Sequence, residues 1–165
     1  MKPSPPRPIS DADELSAFDC GVSALDDWLK RRARANQASG ASRTYVVCEG
    51  SRVVAYYALA SGAVAVLAAS PRLRRNMPDP VPVAVLGRLA IDRARQNQGL
   101  GRALVRDATQ RVIHAAEAIG IRGVLVHAIS AEAATFYLAV GFEPSPFEAL
   151  TLMAPLSDLR AASMR

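Results

Sequence analysis

The stretch Leu89-Ala-Ile-Asp-Arg-Ala-Arg-Gln-Asn-Gln-Gly-Leu-Gly-Arg-Ala-Leu104 decides the fold of this 165-residue chain. An apolar strand ends, a polar basic loop follows, and an amphipathic helix begins at two glycines. Gly99 and Gly101 let backbone N–H groups approach a ligand, and the first turn of a helix adds unpaired donors and a positive dipole. Three arginines are expected to surround this junction: Arg93, Arg95 and Arg102. The stretch therefore predicts an anion site, with a pyrophosphate as the natural occupant.

The sequence on both sides of this junction predicts an α/β (α+β) fold. Strands over 83–91, interrupted at Gly87-Arg88, and over 123–129 are joined by a helix over 101–119 with apolar residues at helical spacing. This order predicts a right-handed βαβ unit with parallel strands. The other predicted elements are a helix over 23–39 capped by Ser23, strands over 44–48, 53–59 and 62–67, a loop over 70–82, a helix over 130–139 capped by Ser130, and strands over 142–144 and 150–154.

Length and composition fit one domain over residues 1–165, with a loose Pro-rich arm over 1–10. The arm lacks the apolar core of a secretory signal. Residues 53–70 carry no charge over a length close to a membrane span, but the Ser61-Gly62 pair favours two buried strands and no membrane partner.

The chain has two cysteines, Cys20 and Cys48, which exclude a disulfide scaffold and suit a reducing cytoplasm. No Cys/His cluster surrounds His114 or His127, so we expect no metal site and structural roles for both histidines.

Charge is concentrated in the middle of the chain. Residues 28–111 hold fifteen basic and four acidic side chains, a net charge of +11, against −4 for residues 1–27 and −2 for residues 112–165. Such a block suggests a polyanionic partner or simply a solvated Arg-rich surface, and charge alone leaves both possible. The candidates for phosphate contacts are Lys30, Arg31, Arg34, Arg72, Arg74 and Arg75. Arg88, within an apolar strand, is costly to bury unless it faces an anion or a cleft, although it could also face the surface.

The glycine pair alone is a weak motif. A Rossmann loop requires G-x-G-x-x-G, but residue 104 is Leu, and a P-loop sequence is absent. The remaining pattern, Gln96-x-x-Gly99-x-Gly101, resembles the acetyl-CoA loop of the GNAT acetyltransferases. A short helix with Phe136-Tyr137 before Gly141-Phe142 is also typical of that family, and the resemblance covers about residues 43–155. It implies that acetyl-CoA contacts Leu89, Ala90, Ile91, Gln96, Asn97, Gln98, Gly99, Leu100, Gly101, Arg102, Ala103 and Phe136.

A narrower resemblance points to the GNAT toxins of type II toxin–antitoxin pairs. The matching segments are Phe18-Asp-Cys-Gly21, Leu25-Asp-Asp-Trp28-Leu, residues 37–46, Tyr57-Ala-Leu-Ala-Ser-Gly62 and Leu86-Gly-Arg-Leu-Ala-Ile91-Asp. This resemblance implies acetylation of the α-amino group of aminoacyl-tRNA, a block of translation and a cytoplasmic location. It also implies a ribbon-helix-helix antitoxin, operator DNA bound only through the antitoxin complex, and a homodimer. The alternatives are a GNAT enzyme acting on a small-molecule amine or a protein N-terminus, and a non-enzymatic nucleic-acid-binding module.

The expected chemistry is attack of a neutral amine on a thioester. An α-amino group has a pKa of about 7.7–8.0, so a strong general base is not needed. Backbone N–H groups over 89–91 are expected to stabilise the developing oxyanion. By resemblance, Tyr137 donates the proton to the leaving thiolate, a mildly uphill transfer of about 1–3 kcal/mol for a phenol with an ordinary pKa. The alternative is that Tyr137 only packs.

Overall fold

The computed structural model describes residues 2–163 and contains one mixed sheet with helices. The strands are β1 (Arg7–Pro8), β2 (Arg43–Glu49), β3 (Arg52–Val64), β4 (Val81–Ile91), β5 (Gly123–His127), β6 (Glu143–Pro144) and β7 (Thr151–Pro155). The helices are α1 (Ser23–Arg31), α2 (Ala33–Ser39), α3 (Pro71–Arg74), α4 (Leu100–Ala115), α5 (Ala131–Ala139) and α6 (Leu156–Ser163). Short 3-10 turns cover Val66–Ala68 and Arg93–Arg95.

The strand order of the sheet is β1-β2-β3-β4-β5-β7-β6. β1, β2 and β3 pair antiparallel, and β7 pairs antiparallel with β5 and β6. β4 and β5 are parallel, with Val83–Leu86 opposite Gly123–Val126. Because α4 connects these two strands, the predicted βαβ unit and the α/β fold class are confirmed.

The chain divides into two compact units, and the prediction of a single domain stays a prediction. The first unit contains the residues up to Ala60 together with Gly87–Asp107. Its core lies between α1 and the strands, with Phe18, Leu29 and Tyr56 at 0–1% exposure. Apolar residues at helical spacing place Leu25 and Leu29 of α1 on that core.

The second unit contains Ser61–Leu86 and the residues from Ala108 onward. Leu73, Leu125 and Met153 are buried in its core. β5 and β7 approach closely at Gly123, where a Cβ would lie 2.2 Å from the carbonyl oxygen of Ala154. Only glycine therefore fits at this position of the strand pair.

The N-terminal segment is partly paired, contrary to the expected loose arm. Arg7 and Pro8 form β1 opposite Val46 and Tyr45, and the backbone N–H of Ser4 donates to the carbonyl of Cys48 (2.8 Å). A short strand was not expected here because two residues carry no detectable period.

The predicted helix over 23–39 is wrong as one element. It breaks at Arg32, which has φ −120° and ψ −29°, and Ser23 is the first helical residue instead of a side-chain cap, since Val22 holds the cap position. The Ser130 cap is confirmed by its hydroxyl, which accepts from the backbone N–H of Ala133.

The predicted break at Ser61-Gly62 is also wrong, because β3 continues to Val64. A Cβ at Gly62 would lie 2.7 Å from the Val85 side chain, so this glycine permits close strand contact and does not form a turn. The predicted interruption of β4 at Gly87-Arg88 and the pure loop over 70–82 are corrected in the same way: β4 is continuous, and α3 begins at Pro71.

Other boundaries shift by a few residues: α4 ends at Ala115, β5 at His127, and α6 was not predicted. Within residues 2–163, no helix has the length and hydropathy needed to cross a membrane.

Candidate functional site

The loop between β4 and α4 has the backbone geometry of an anion site. Asn97 has φ 63° and Gly99 has φ 81°, both in the left-handed region, which Asn and Gly tolerate best. A Cβ at Gly99 would meet nothing within 4 Å, so the backbone conformation and not the available space favours glycine there. These two residues turn the chain so that α4 begins directly after the exposed loop.

The N-terminus of α4 supplies unpaired donors at this loop. The N–H of Ala103 donates to the carbonyl of Gly99 (3.3 Å), so the N–H groups of Leu100, Gly101 and Arg102 precede the helical ladder. Together with the positive end of a 16-residue helix, they form a donor set that fits the pyrophosphate of a coenzyme A molecule.

The side chain of Gln96 braces the loop through its amide nitrogen. Its amide nitrogen donates to the carbonyls of Cys20 (2.9 Å) and Ile91 (2.8 Å). The backbone of the loop is tied to the same turn, because the N–H of Arg93 donates to the carbonyl of Asp19 (2.9 Å). Gln96 therefore fixes the loop between the end of β4 and the turn before α1.

The carboxylate of Asp92 adds a second brace. It accepts from the N–H groups of Asp19 (3.1 Å) and Ala94 (3.0 Å), and Arg52 lies 3.7 Å away. Asp92 is 4% exposed. This bracing role was missed from the sequence, although the segment Phe18-Asp-Cys-Gly21 stood out within the toxin-like matches.

Two of the three arginines expected around the anion are paired with carboxylates. Arg93 lies 3.1 Å from Asp19 and lowers the pKa of that carboxyl through a side-chain hydrogen bond. Arg95 pairs with Glu49, and this hydrogen bond likewise lowers the pKa of Glu49. Backbone donors, with the exposed Arg102 on the first turn of α4, are therefore the principal anion ligands available.

The last part of β4 carries the predicted oxyanion donors. Pairing with β5 covers Val83–Leu86, and β4 continues for five further residues to Ile91. Ala90 is 4% exposed and packs in the core of the first unit. Arg88 is half-buried, and its guanidinium carbon lies 4.8 Å from the centre of the Trp28 ring.

Tyr137 lies on α5 in an aromatic environment. It is 7% exposed and makes edge contacts with the rings of Phe136 (5.1 Å) and Phe142 (5.7 Å). Burial raises the pKa of its phenol to about 12. Its hydroxyl has no hydrogen-bond partner among residues 2–163. The phenol is therefore protonated at neutral pH, and its O–H is not engaged by the described residues.

Two of the six candidate tRNA-binding cations are engaged in structural contacts. Arg34 donates to the backbone carbonyls of Ser10 (3.3 Å) and Asp13 (2.5 Å). Arg72 pairs with Asp158, lowering the pKa of that carboxyl through a side-chain hydrogen bond. A phosphate contact by these two residues stays a prediction, with local partners already engaging Nε and Nη2 of each guanidinium.

The remaining four cations are more accessible. Lys30 and Arg31 are exposed in the last turn of α1, Arg75 is exposed after α3, and Arg74 is half-buried.

Both histidines are exposed. Nδ1 of His127 lies 3.2 Å from Thr151 Oγ1, and His114 lies 4.0 Å from Glu117. The Thr151 hydroxyl is buried and itself donates to Glu148 (2.9 Å), whereas the His114–Glu117 pair is exposed.

Comparison with known proteins identifies the family. Residues 40–144 match the acetyltransferase (GNAT) domain. A tRNA-acetylating toxin of Mycobacterium tuberculosis is 53% identical over 158 residues, covering 96% of this chain and 95% of that protein.

Two solved structures extend the likeness to three dimensions. AtaT complexed with acetyl-methionyl-tRNAfMet is 30% identical, with a TM-score of 0.89 and coverage of 97% of this chain and 98% of that one. A Tyr-to-Phe mutant of the AtaT toxin bound to acetyl-CoA and to the C-terminus of the antitoxin AtaR is also 30% identical. Its TM-score is 0.84, with 100% of both chains covered. With the braced loop before α4 and the family match over most of the chain, this protein belongs to the GNAT N-acetyltransferases, which take their acetyl group from acetyl-CoA.

Proposed function

We propose that this enzyme acetylates the α-amino group of aminoacyl-tRNA and thereby blocks translation. The observation that carries the proposal is the 53% identity to a tRNA-acetylating toxin over nearly the full length of both chains. The accessible cations of α1 and the region after α3 suit a phosphate-rich acceptor.

The donor binds along the loop and the end of β4. Acetyl-CoA supplies an acetyl group activated as a thioester. The N–H groups at the start of α4 hold its pyrophosphate, and Gln96 fixes the loop through its hydrogen bonds to the carbonyls of Cys20 and Ile91. The other contacts in this proposal come from Leu89, Ala90, Ile91, Asn97, Gln98, Gly99, Leu100, Gly101, Arg102, Ala103 and Phe136.

Residues 89–91 stabilise the charge that develops during acyl transfer. Backbone N–H groups fixed in a strand need no reorganisation as the carbonyl oxygen becomes negative, which is the principle of an oxyanion hole. The attacking amine needs no strong base, since an α-amino group has a pKa of about 7.7–8.0 and is partly neutral near pH 7.

Tyr137 assists the departing thiolate. Because burial raises its pKa to about 12, complete proton transfer to a thiolate of pKa ~8.5 would cost about 5 kcal/mol, more than a phenol of ordinary pKa would require. The phenol instead donates a hydrogen bond to the sulfur as the C–S bond breaks. The phenol transfers its proton to the sulfur only as its own oxygen receives the proton that the acylated nitrogen loses. The balance is one proton from nitrogen and one to sulfur, with the phenol unchanged.

The acceptor is held by side chains that local partners do not occupy. Lys30, Arg31, Arg74 and Arg75 contact tRNA phosphates in this proposal, and Arg88 faces the reacting end of the acceptor. Arg34 and Arg72 add to the positive field in this proposal, while their Nε and Nη2 groups donate to local partners.

The proposed partners follow from the same toxin-like identity. A ribbon-helix-helix antitoxin neutralises the enzyme, and operator DNA is bound only through that complex. The active form is a cytoplasmic homodimer. The AtaT mutant bound to the AtaR C-terminus is the analogous assembly.

The direct test incubates purified enzyme with acetyl-CoA and a set of charged tRNAs. We expect N-acetylated aminoacyl-tRNA, with a rate that falls steeply as salt is added, since each phosphate contact releases counterions. Transfer to small amines or protein N-termini but to no charged tRNA would reject the proposal and favour the alternative acceptor class.

A further inference from the structure

Arg88 is a half-buried arginine without a polar partner. Within the described part of the chain its guanidinium forms no hydrogen bond and no ion pair, and its central carbon lies over the Trp28 ring, 4.8 Å from the ring centre. Another half-buried arginine, Arg122, is satisfied within the chain: it donates to the carbonyls of Leu73 and Arg72, both at 2.9 Å. Five N–H donors left partly desolvated are costly unless a ligand supplies acceptors.

Trp28 holds this guanidinium on a rigid support. The Trp28 ring stacks on the ring of Tyr56, with centroids 5.9 Å apart and planes 10° apart. Tyr56 is completely buried, its hydroxyl donates to the carbonyl of Leu25 (2.7 Å), and Phe18 packs on its ring edge. The Arg88–Trp28 pair therefore has a fixed base, and a cation–π contact leaves the N–H edge of the guanidinium available.

The charges around this pair favour an anion. Asp26 on α1 is already engaged, because its carboxylate accepts from the backbone N–H of Cys20 (2.9 Å). Lys30 and Arg31 follow on the same helix and are exposed. The other neighbouring groups on the packed elements, Tyr56 and Cys20, both have raised pKa values because they are buried, so they remain neutral at pH 7.

The position of Arg88 relates this pair to the reaction. Arg88 directly precedes residues 89–91, and strands rise about 3.3 Å per residue, so its backbone lies within about 10 Å of the proposed oxyanion donors. In an aminoacyl-tRNA the amino acid is an ester and carries no carboxylate charge. The nearest negative charge to the reacting amine is the phosphodiester that precedes the terminal nucleoside.

We propose that Arg88, held by Trp28, binds the phosphodiester next to the aminoacylated terminal nucleoside. This inference rests on the proposed function, and it identifies the phosphodiester as the group of the acceptor that the Arg88–Trp28 pair binds. Arg88 contacts the substrate, and Trp28 is a positioning residue that orients the guanidinium for a two-point contact with phosphate oxygens.

The test compares two minimal acceptors that carry the same amino acid, chosen as the one on the tRNA that the enzyme acetylates best. One is the 3′-aminoacyl adenosine, which has no phosphate, and the other is the 3′-aminoacylated dinucleotide cytidylyl-adenosine, which has one phosphodiester. We expect the enzyme to prefer the dinucleotide by about 10- to 100-fold in kcat/KM, the range for hydrogen bonds to a charged group. Arg88→Met should reduce this ratio to near one, and Arg88→Lys should restore only part of it.

Trp28 variants separate positioning from folding. Trp28→Phe keeps an aromatic face and should retain most of the preference, whereas Trp28→Leu should lose most of it. Arg106→Met, an exposed charge change on α4, is the matched control and should keep the ratio. Calorimetric binding of coenzyme A monitors folding in each variant.

Two outcomes would overturn the inference. One is a preference for the dinucleotide that persists in Arg88→Met, and the other is a loss in that variant that is equal on both acceptors. Failure of the proposed function is a different result: the parent enzyme would bind acetyl-CoA but acetylate neither acceptor nor any charged tRNA.

Discussion

The coenzyme loop and the Tyr137 environment are built in opposite ways. The loop over 96–99 is exposed and polar, and the chain leading into it is fixed by hydrogen bonds that Gln96 and the Arg93 N–H donate and that Asp92 accepts. Tyr137 is buried among aromatic rings, and its hydroxyl contacts no polar group within the described chain. Anion binding from backbone donors requires fixed geometry, whereas a phenol kept as a proton donor requires exclusion of water.

This difference predicts unequal sensitivity to substitution. The loop distributes its support over several hydrogen bonds, each with a net contribution of about 0.5–1.5 kcal/mol. The Tyr137 environment depends on one oxygen atom for its chemistry. Loss of a single loop contact should therefore weaken binding gradually, while loss of the phenol oxygen should remove turnover.

The largest expected effect is that of Tyr137→Phe. Turnover should fall by about 10²- to 10⁴-fold, the usual contribution of a positioned proton donor. Coenzyme A affinity and the unfolding midpoint should stay close to the parent values, because the hydroxyl has no partner in the folded chain. Single-turnover acetyl transfer and calorimetry measure the two properties. Undiminished turnover would remove Tyr137 from the mechanism.

The second expected effect is the pH profile. The value of kcat/KM should rise about 50- to 90-fold from pH 6 to pH 9, because the acceptor amine, with a pKa of about 7.7–8.0, loses its proton. Burial raises the pKa of Tyr137 to about 12, so its protonated form persists throughout this range and is lost only as pH rises toward that value. Stopped assays with short incubations measure the profile. If kcat/KM instead fell with rising pH below pH 9, and this fall were absent in Tyr137→Phe, the phenol would titrate in that range. That result would contradict a raised pKa caused by burial of Tyr137.

Gly99→Ala tests whether the backbone conformation of the coenzyme loop determines its affinity for coenzyme A. A left-handed φ costs a residue with a Cβ about 1–2 kcal/mol, so the dissociation constant for coenzyme A should rise about 5- to 30-fold. Gly99→Asn is the matched control, since Asn tolerates this conformation better, and its loss should be smaller. Equal affinities for all three proteins would show that the conformation at this residue does not determine binding.

Gln96→Ala has the smallest expected effect. Removing the two hydrogen bonds to Cys20 and Ile91 should raise the coenzyme A dissociation constant about 3- to 10-fold, with kcat at saturating donor nearly unchanged. Gln110→Ala, an exposed change on α4, controls for the loss of an amide. A large fall in kcat without a change in affinity would place Gln96 in the chemistry instead of in the support of the loop.

The sequence predicted the parts of the fold that depend on local pattern. Apolar runs, the helical period of α4 and the glycines at its start were sufficient for the βαβ unit and the anion loop. Pairings across long distances in the chain were not predictable: Arg95 with Glu49 and Arg93 with Asp19 join residues 46 and 74 positions apart. A count of charges could not distinguish these neutralised arginines from an arginine without a partner.

The glycine and serine residues that predicted a turn gave a wrong prediction where tertiary packing determines the role of the glycine. The Ser61-Gly62 pair has the composition of a turn, but Gly62 lies inside β3 against Val85. Likewise, the raised pKa of Tyr137 could not be foreseen, because it depends on burial contributed by residues such as Phe142 that the fold brings around it.

The short strand β1 has a consequence for solubility. It covers the outer edge of β2 with Arg7 and Pro8, and proline offers no N–H for a further strand. Removing these residues would expose a row of unpaired backbone groups along β2 and invite edge-to-edge aggregation between copies. The segment over 4–9 therefore closes this edge of the sheet against strand addition by another copy, a property that acetyl-transfer measurements alone would not detect.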